Sequence, residues 1–289
     1  MKQKRVAAVH DISCFGRCSL TAALPILSAT GIETSVIPTA ILSTHTGGFT
    51  GFTVRDLTDD ILPVARHWKS LNLGFDAIYT GYLGSAEQID IVTELFGMFR
   101  TWDNLIYVDP VMADNGVMYP AFDKAFAVGM ARMCAKADVV IPNITEAVFM
   151  LGEEYAEGPY TRDYIEGLLR RLAGLGPRKV FLTGVYFNEK ELGAAAYDRV
   201  SGEYSCAFSD RIEGYYHGTG DVFGSALLAA LLGGKSDREA AQIAVDFTIG
   251  SLLRSKEEAH DVRFGVNFEY GLRRLADLLP PQGSTRAEP

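Results

Sequence analysis

The chain has 289 residues, of which 48% are hydrophobic and 22% charged. That is enough for one large α/β unit or two smaller ones, each with a sizeable core, and far from the composition of a disordered chain. With 27 Lys and Arg against 36 Asp and Glu the net charge is −9, which excludes the basic surface that nucleic-acid binding needs. Any anionic ligand must then find its positive potential locally, at helix N-termini, oriented amides or a metal ion.

The opening MKQKR precedes only a short apolar run, residues 6–9, before Asp11, so no signal peptide is expected. No run of about 18 apolar residues occurs, and no association with a membrane is expected. Cys14, Cys18, Cys134 and Cys206 are scattered, with no second close pair to complete a zinc site. They read as the reduced thiols of a cytoplasmic protein.

Taken in chain order, a strand is predicted over 6–10, a helix over 20–30 and a second strand over 34–38. Helix 56–73, strand 77–80, helix 86–101, strand 105–109, helix 121–136, strand 139–142, helix 161–175 and strand 179–183 follow. Strands alternating with longer helices imply βαβ units around a mostly parallel sheet, and the nearly continuous apolar runs fit strands covered on both faces. Residues 179–208 hold three apolar runs close together, the last two parted by Ser201 and Gly202, which predicts a small antiparallel extension. A Gly-rich turn, a very apolar helix over 219–232 and two more helices complete a domain expected over 1–279. The polar, proline-rich end over 280–289 is expected to be a disordered tail.

Ligands of open parallel sheets bind beyond the carboxyl ends of the strands, and the unusual polar residues fall there. The exits carry His10 and Asp11; the run from Ser43 through His45 and Thr46 to Gly48; Thr80, Gly81 and Tyr82; Asp109 through Asp114 to Gly116; Asn143 with Glu146 one turn on; and Thr183 with Gly184. The sharpest local signal is Gly218-Thr219-Gly220-Asp221 ahead of VFGSALLAALL. Glycines point successive N–H groups into a concavity, and the helix that starts there adds about half a positive charge. Asp221 beside that anion hole can accept a proton from a substrate hydroxyl. Taken alone, the four residues could equally be a helix cap.

Other phosphate motifs fail. Gly233-Gly234-Lys235-Ser236 resembles the end of a P-loop, but Ala229 stands where that motif needs glycine. No G-x-G-x-x-G follows the first strand, and no G-x-S-x-G elbow occurs. His67 and His260 read as solvated or structural, His10 and His217 as structural, and His45 as a ligand contact.

These motifs resemble those of the ribokinase-like superfamily and, within it, the pyridoxal (vitamin B6) kinases, over about residues 6–253. GTGD at 218–221 carries the superfamily likeness; STHTG at 43–47, TGYLGS at 80–85, DPVMAD at 109–114 and PNITE at 142–146 carry the narrower one. The resemblance implies a three-layer α/β/α fold, a mostly parallel central sheet with the antiparallel extension, and transfer of a phosphoryl group from ATP to the 5′-hydroxymethyl of a pyridine. It makes Asp221 the base and Gly218, Thr219 and Gly220 the anion hole. Asp109, Asn143 and Glu146 become the group that organises Mg²⁺ around the nucleotide, with Asp109 and Glu146 directed at the metal partly through water. Asp114 becomes a phosphate-proximal acid, and Thr183 and Gly184 nucleotide contacts. His45, Thr46 and Tyr82 are placed around the pyridine ring, with Tyr119 near the substrate or its flap. A homodimer is also implied.

Two positions depart from the family pattern. Asp11 stands where many members have a serine against the ring, so a carboxylate would meet a protonated ring nitrogen or the 4′-amine of pyridoxamine. Ile141 stands where some have a threonine near a monovalent cation, which questions potassium dependence. The alternatives are a hydroxymethylpyrimidine kinase of thiamin synthesis, whose branch often has cysteine at the place of Asp221, and a non-catalytic pyridine or nucleotide binder on the same scaffold. A sugar or nucleoside kinase fits less well, because only about 20 residues part the first two predicted strands, leaving no room for a lid between them.

Overall fold

A computed structural model of the protein describes residues 3–259 and 261–280. His260 and the expected tail beyond Pro280 lie outside the described residues. The strands are β1 (Arg5–Phe15), β2 (Glu33–Thr44), β3 (Val54–Asp56), β4 (Ala77–Thr80), β5 (Leu105–Val108), the hairpin pair β6 (Ala113–Asp114) and β7 (Val117–Met118), β8 (Val139–Val140), β9 (Lys179–Val185), β10 (Glu191–Asp198) and β11 (Tyr204–Asp210). Nine of them form one sheet in the order β11-β10-β9-β8-β5-β4-β1-β2-β3. Pairing is parallel from β9 through β2, while β10 and β11 add the antiparallel extension at one edge.

Helices cover both faces. One face takes α1 (Leu20–Ala29), α7 (Thr219–Leu232), α8 (Asp237–Glu257) and α9 (Leu272–Leu278), whose Leu27, Leu228, Ala244 and Leu275 share a core with Tyr79, Tyr107 and Phe181 of the sheet. The other takes α2 (Thr58–Ser70), α3 (Ala86–Phe99), α4 (Lys124–Cys134), α5 (Ile144–Met150) and α6 (Arg162–Leu175), which bury Ile61, Leu95, Met130, Val148 and Leu168. This is the expected α/β/α sandwich. β1 has its successor β2 on one side and β4 on the other, so the winding reverses beside β1, and a crevice opens beyond the carboxyl ends at such a switch point.

The differences from the predicted elements have physical reasons. β1 and β2 run past their predicted ends to Phe15 and Thr44, after β4 has stopped at Thr80. This extension carries polar residues such as Asp11, Ser13 and Ser43, so it lacks an apolar signature. Its register slips between His10 and Ile12, where β2 has one more residue than β1, and such bulges re-aim side chains. β3 pairs antiparallel on β2 with all three residues exposed, leaving no burial pattern to read. α5 is short, yet its capping box was spelled out: the Asn143 side chain accepts from the Glu146 N–H and Glu146 accepts from the Asn143 N–H.

The apolar α7 lies close on the sheet because Gly224 has no side chain. A Cβ there would stand 2.7 Å from Ile141 Cδ1 and 2.8 Å from the Tyr79 hydroxyl. The Tyr107 hydroxyl donates to the Gly224 carbonyl at 2.8 Å. This contact seats the start of α7 over the strand exits. Gly224→Val is therefore expected to overpack the interface and lower unfolding stability by about 1–3 kcal/mol, read as a lower denaturant midpoint; an unchanged midpoint would refute the close seating.

Candidate active site

Asp11, His45, Thr46, Tyr82, Asp109, Asp114, Asn143, Glu146, Thr183 and Gly184 from the strand exits and all four residues of the GTGD turn border one cleft of about 950 Å³, whereas His10, Ser43, Gly48, Thr80, Gly81 and Gly116 do not line it. Gly218 precedes α7 with φ +76°, and a Cβ there would lie 2.0 Å from the Arg17 carbonyl oxygen, so only glycine fits. No side chain caps this helix. The first N–H groups, from Thr219 onward, are left for a ligand at the positive end of the helix dipole.

Asp221 stands in that first turn and opens on the cleft. Burial raises its carboxyl to about 7, opposed by a hydrogen bond from the Ser19 N–H and helped by the charge of Asp11. Asp11, 3% exposed, sits at the bulge of β1. Its Oδ2 accepts from the Ser13 hydroxyl at 3.2 Å, while Oδ1 has no protein partner. Burial raises the Asp11 pKa as well.

Asp109 and Glu146 form a second acidic pair. Burial pushes Asp109 well above the usual carboxylate range, reinforced by Glu146 and Asp221. Burial likewise lifts Glu146 to about 8, although Oε1 accepts from the Met112 N–H at 3.0 Å and Oε2 from the Asn143 N–H at 2.9 Å. Asn143 is also committed: Oδ1 takes the Glu146 N–H and Nδ2 donates to the Ala113 carbonyl at 2.8 Å. The structure thus makes Asn143 and Glu146 a frame for the loop after β5, a role not read from the sequence. Among the described residues, no group of three or more His, Cys, Asp or Glu side chains is placed to hold a metal ion. Two hard carboxylates without a nearby cation fit a Mg²⁺ that brings its remaining oxygen ligands as phosphates and water.

Asn115 and Gly116, with φ +49° and +75°, make the two-residue turn of the β6–β7 hairpin, an Asn-Gly signal that went unread as a hairpin. The Gly116 N–H donates to Thr145 at 2.9 Å, tying the hairpin to α5. Burial raises the Asp114 pKa, opposed by the nearby Tyr215 hydroxyl and by the Asn115 N–H, which donates to Oδ1 at 2.8 Å.

His45, Thr46 and Tyr82 line another part of the cleft, while Tyr119 stands with the β6–β7 hairpin, its N–H donating to the Met112 carbonyl at 2.9 Å and its phenol within reach of the charges of Glu146 and Asp114. The His45 Nδ1 accepts the Gly47 N–H at 3.1 Å and its Nε2 bonds the Arg263 carbonyl at 2.5 Å, so only the ring itself is left to meet a ligand. His217, read as structural, lies 4.8 Å from the His45 ring and lines the cleft. The cleft around His45 is knitted to the C-terminal part of the chain: the Arg17 N–H donates to the Phe264 carbonyl at 3.0 Å, and Arg17 pairs with Glu269 at 2.6 Å. Thr183 and Gly184 stand near an apolar wall that the sequence reading missed, made by Phe223 and by Val245, Ile249 and Leu252 of α8. Its i, i+4, i+7 spacing was the available signal.

A switch-point crevice whose strand exits carry buried carboxylates, opposite an uncapped helix started by glycine, defines a ribokinase-like phosphotransferase. The chain belongs to the phosphomethylpyrimidine kinase family, whose model matches residues 18–264. It is similar to a candidate phosphomethylpyrimidine kinase of Bacteroides thetaiotaomicron crystallised with pyridoxal: 39% identity, TM-score 0.91, 95% of this chain and 96% of that one. The pyridoxal kinase of Lactobacillus plantarum is 29% identical with TM-score 0.87, covering 96% of this chain and 98% of that one. Pyridoxal kinase PdxY of Pasteurella multocida is 26% identical over 257 residues, 82% of this chain and 84% of the relative.

The raised Asp221 pKa makes a stability prediction with a definite sign. Unfolded, the carboxyl titrates near its ordinary 3.8; folded, near 7. Below the lower value both states are protonated and nothing is lost. Between the two, the unfolded chain releases its proton first, so stability falls as pH rises, and the loss is complete above about 7. Asp221→Asn is therefore expected to raise the melting temperature at pH 8 and to leave it nearly unchanged at pH 4, measured by thermal unfolding.

Proposed function

We propose that the protein transfers the γ-phosphoryl group of ATP to the hydroxymethyl group of a vitamin B6 pyridine: pyridoxal, pyridoxamine or pyridoxine. The observation that carries this reading is Asp221, a carboxylate in the first turn of the uncapped α7 that opens on the cleft and whose charge reaches Asp109. Likeness to a protein crystallised with pyridoxal and to two pyridoxal kinases supports the choice of acceptor.

Asp221 takes the proton of the substrate hydroxyl as that oxygen forms its bond to phosphorus and the bond from phosphorus to the departing ADP oxygen breaks. A pKa near 7 suits a base working at neutral pH. The N–H groups after Gly218 meet the charge on the transferring group, preorganised by a turn that only glycine can make. Asp109 and Glu146 would hold Mg²⁺, in part through water, and the ion when bound neutralises the phosphate charge that their own carboxylates oppose. Thr183, Gly184 and the wall from α8 would take the nucleotide, with Asp114 near its phosphates. His45, Thr46, Tyr82 and Tyr119 would surround the ring. The unpartnered Asp11 Oδ1 would accept a ring N–H.

The second reading, phosphorylation of a hydroxymethylpyrimidine, is favoured by the family match itself. Mg·ATP with pyridoxal, pyridoxamine, pyridoxine and hydroxymethylpyrimidine separates the two: ADP release is expected with the pyridines, and release with the pyrimidine alone would reverse the assignment. Asp221→Ala is expected to lower kcat by about 10²–10³ or more with the fold retained, checked by circular dichroism; wild-type turnover in that variant would sink the role of Asp221. For the unmodified enzyme, kcat/KM is expected to fall about tenfold per pH unit below about 7, as Asp221 takes up its proton. Asp11→Asn is expected to raise KM for the pyridines more than for the pyrimidine in steady-state assays.

A further inference from the structure

Ser85 and Gln88 have the spacing of a capping box, and half of one is present: the Ser85 hydroxyl oxygen accepts the Gln88 N–H at 3.2 Å at the start of α3. The glutamine does not complete it. Its side chain is fully buried and turns inward instead of back to the Ser85 N–H. Oε1 accepts the Gly84 N–H at 2.8 Å. Nε2 donates to the Thr39 carbonyl at 3.0 Å and the Thr58 hydroxyl at 2.9 Å, with Asp56 Oδ2 a third acceptor at 3.4 Å. One amide thus ties together β2, the join of β3 to α2, and the loop after β4. A second bond crosses the same joint, from the Thr39 hydroxyl to the Tyr82 carbonyl at 3.2 Å. What the joint holds is Tyr82, which among residues 80–85 alone lines the cleft. A Cβ on Gly84 would stand 3.8 Å from Gln88 Oε1 and 3.9 Å from Tyr82 Cε1, so the bonded loop lies against the ring. The ring also leans on Phe122, with centroids 5.6 Å apart.

We propose that Gln88 is a positioning residue for the acceptor: by fixing Gly84 and, with Thr39, the loop after β4, it sets the Tyr82 ring at the angle an aromatic acceptor meets. Contacts between aromatic rings depend on their mutual orientation, so a ring free to tilt binds a planar ligand less well. Gln88 itself does not line the cleft, and its effect on the acceptor passes through Tyr82. It should therefore govern acceptor binding and leave the nucleotide alone.

The inference rests on the kinase reading above, and the experiment keeps the two apart. Gln88→Met keeps the length of the side chain and removes its hydrogen bonds. In steady-state assays its KM for pyridoxal is expected to rise roughly five- to tenfold while KM for ATP stays within about twofold. A glutamine that served stability alone would lower the melting temperature and the active fraction, hence kcat, and leave both KM values unmoved. The decisive measurement is a double-mutant cycle in acceptor KM. In a Tyr82→Ala background, Gln88→Met is expected to change it by less than about twofold, because the ring it positions is gone. Full additivity of the two substitutions, or an unchanged acceptor KM in Gln88→Met alone, overturns the proposal. Should Gln88→Met not fold, Thr39→Val, which removes the hydroxyl bonded to the Tyr82 carbonyl, takes its place in the same cycle with the same expected rise. Turnover of the pyridine alcohols by wild type tests the kinase reading itself. If none is accepted, that reading falls and the cycle is read on the dissociation constants of pyridoxal and hydroxymethylpyrimidine by calorimetric titration, with the same outcomes decisive, because Tyr82 would meet either planar ring.

Discussion

The constraint on which the rest of the molecule depends is a crowd of carboxylates with nothing of opposite sign among them. Asp11, Asp109, Asp114, Glu146 and Asp221 border one cleft, where Arg211 is the one Lys or Arg among the described lining residues and is already paired with Glu189. Charges drawn out of water cost free energy, and like charges add to it. The raised pKa values of these acids are one expression of that cost. Held as they are, they make a site whose charge the proposed cation and proton-donating substrate would relieve.

The fold keeps such a site together with backbone donors. Glu146 is gripped by two amides of the loops it joins, and the first N–H groups of α7 are left without a side-chain cap. Backbone groups are set by the sheet and cannot swing away, so they hold charge without the entropy that long cationic side chains would lose. The same logic accounts for glycine at 218, where the chain passes too close to Arg17 for any side chain.

Much of this was legible in the sequence because it is local. Apolar runs gave the parallel strands, and Gly218-Thr219-Gly220-Asp221 marked the helix start without reference to anything distant. The illegible parts depend on partners far along the chain. Nothing near Ser19 announces its positive φ of 54°. His45 looks like a free ligand contact until the Arg263 carbonyl, 218 residues away, takes its Nε2. β3 leaves no trace because all its residues face solvent. The α5 capping box and the Asn115-Gly116 turn were readable and passed over, the first because the helix is only seven residues long.

The bonds joining Arg17 and His45 to residues 263–269 bear on how the protein comes to be made. They close loops of more than 200 residues, and contacts so distant in sequence are slow to form and late to be rewarded. During synthesis the parallel strands and their flanking helices can pair well before that last segment leaves the ribosome. The part of the cleft around His45 cannot be complete until it does. A nascent chain therefore carries its acidic floor while the wall around His45 is still open, and the cleft closes only once residues 263–269 have been translated.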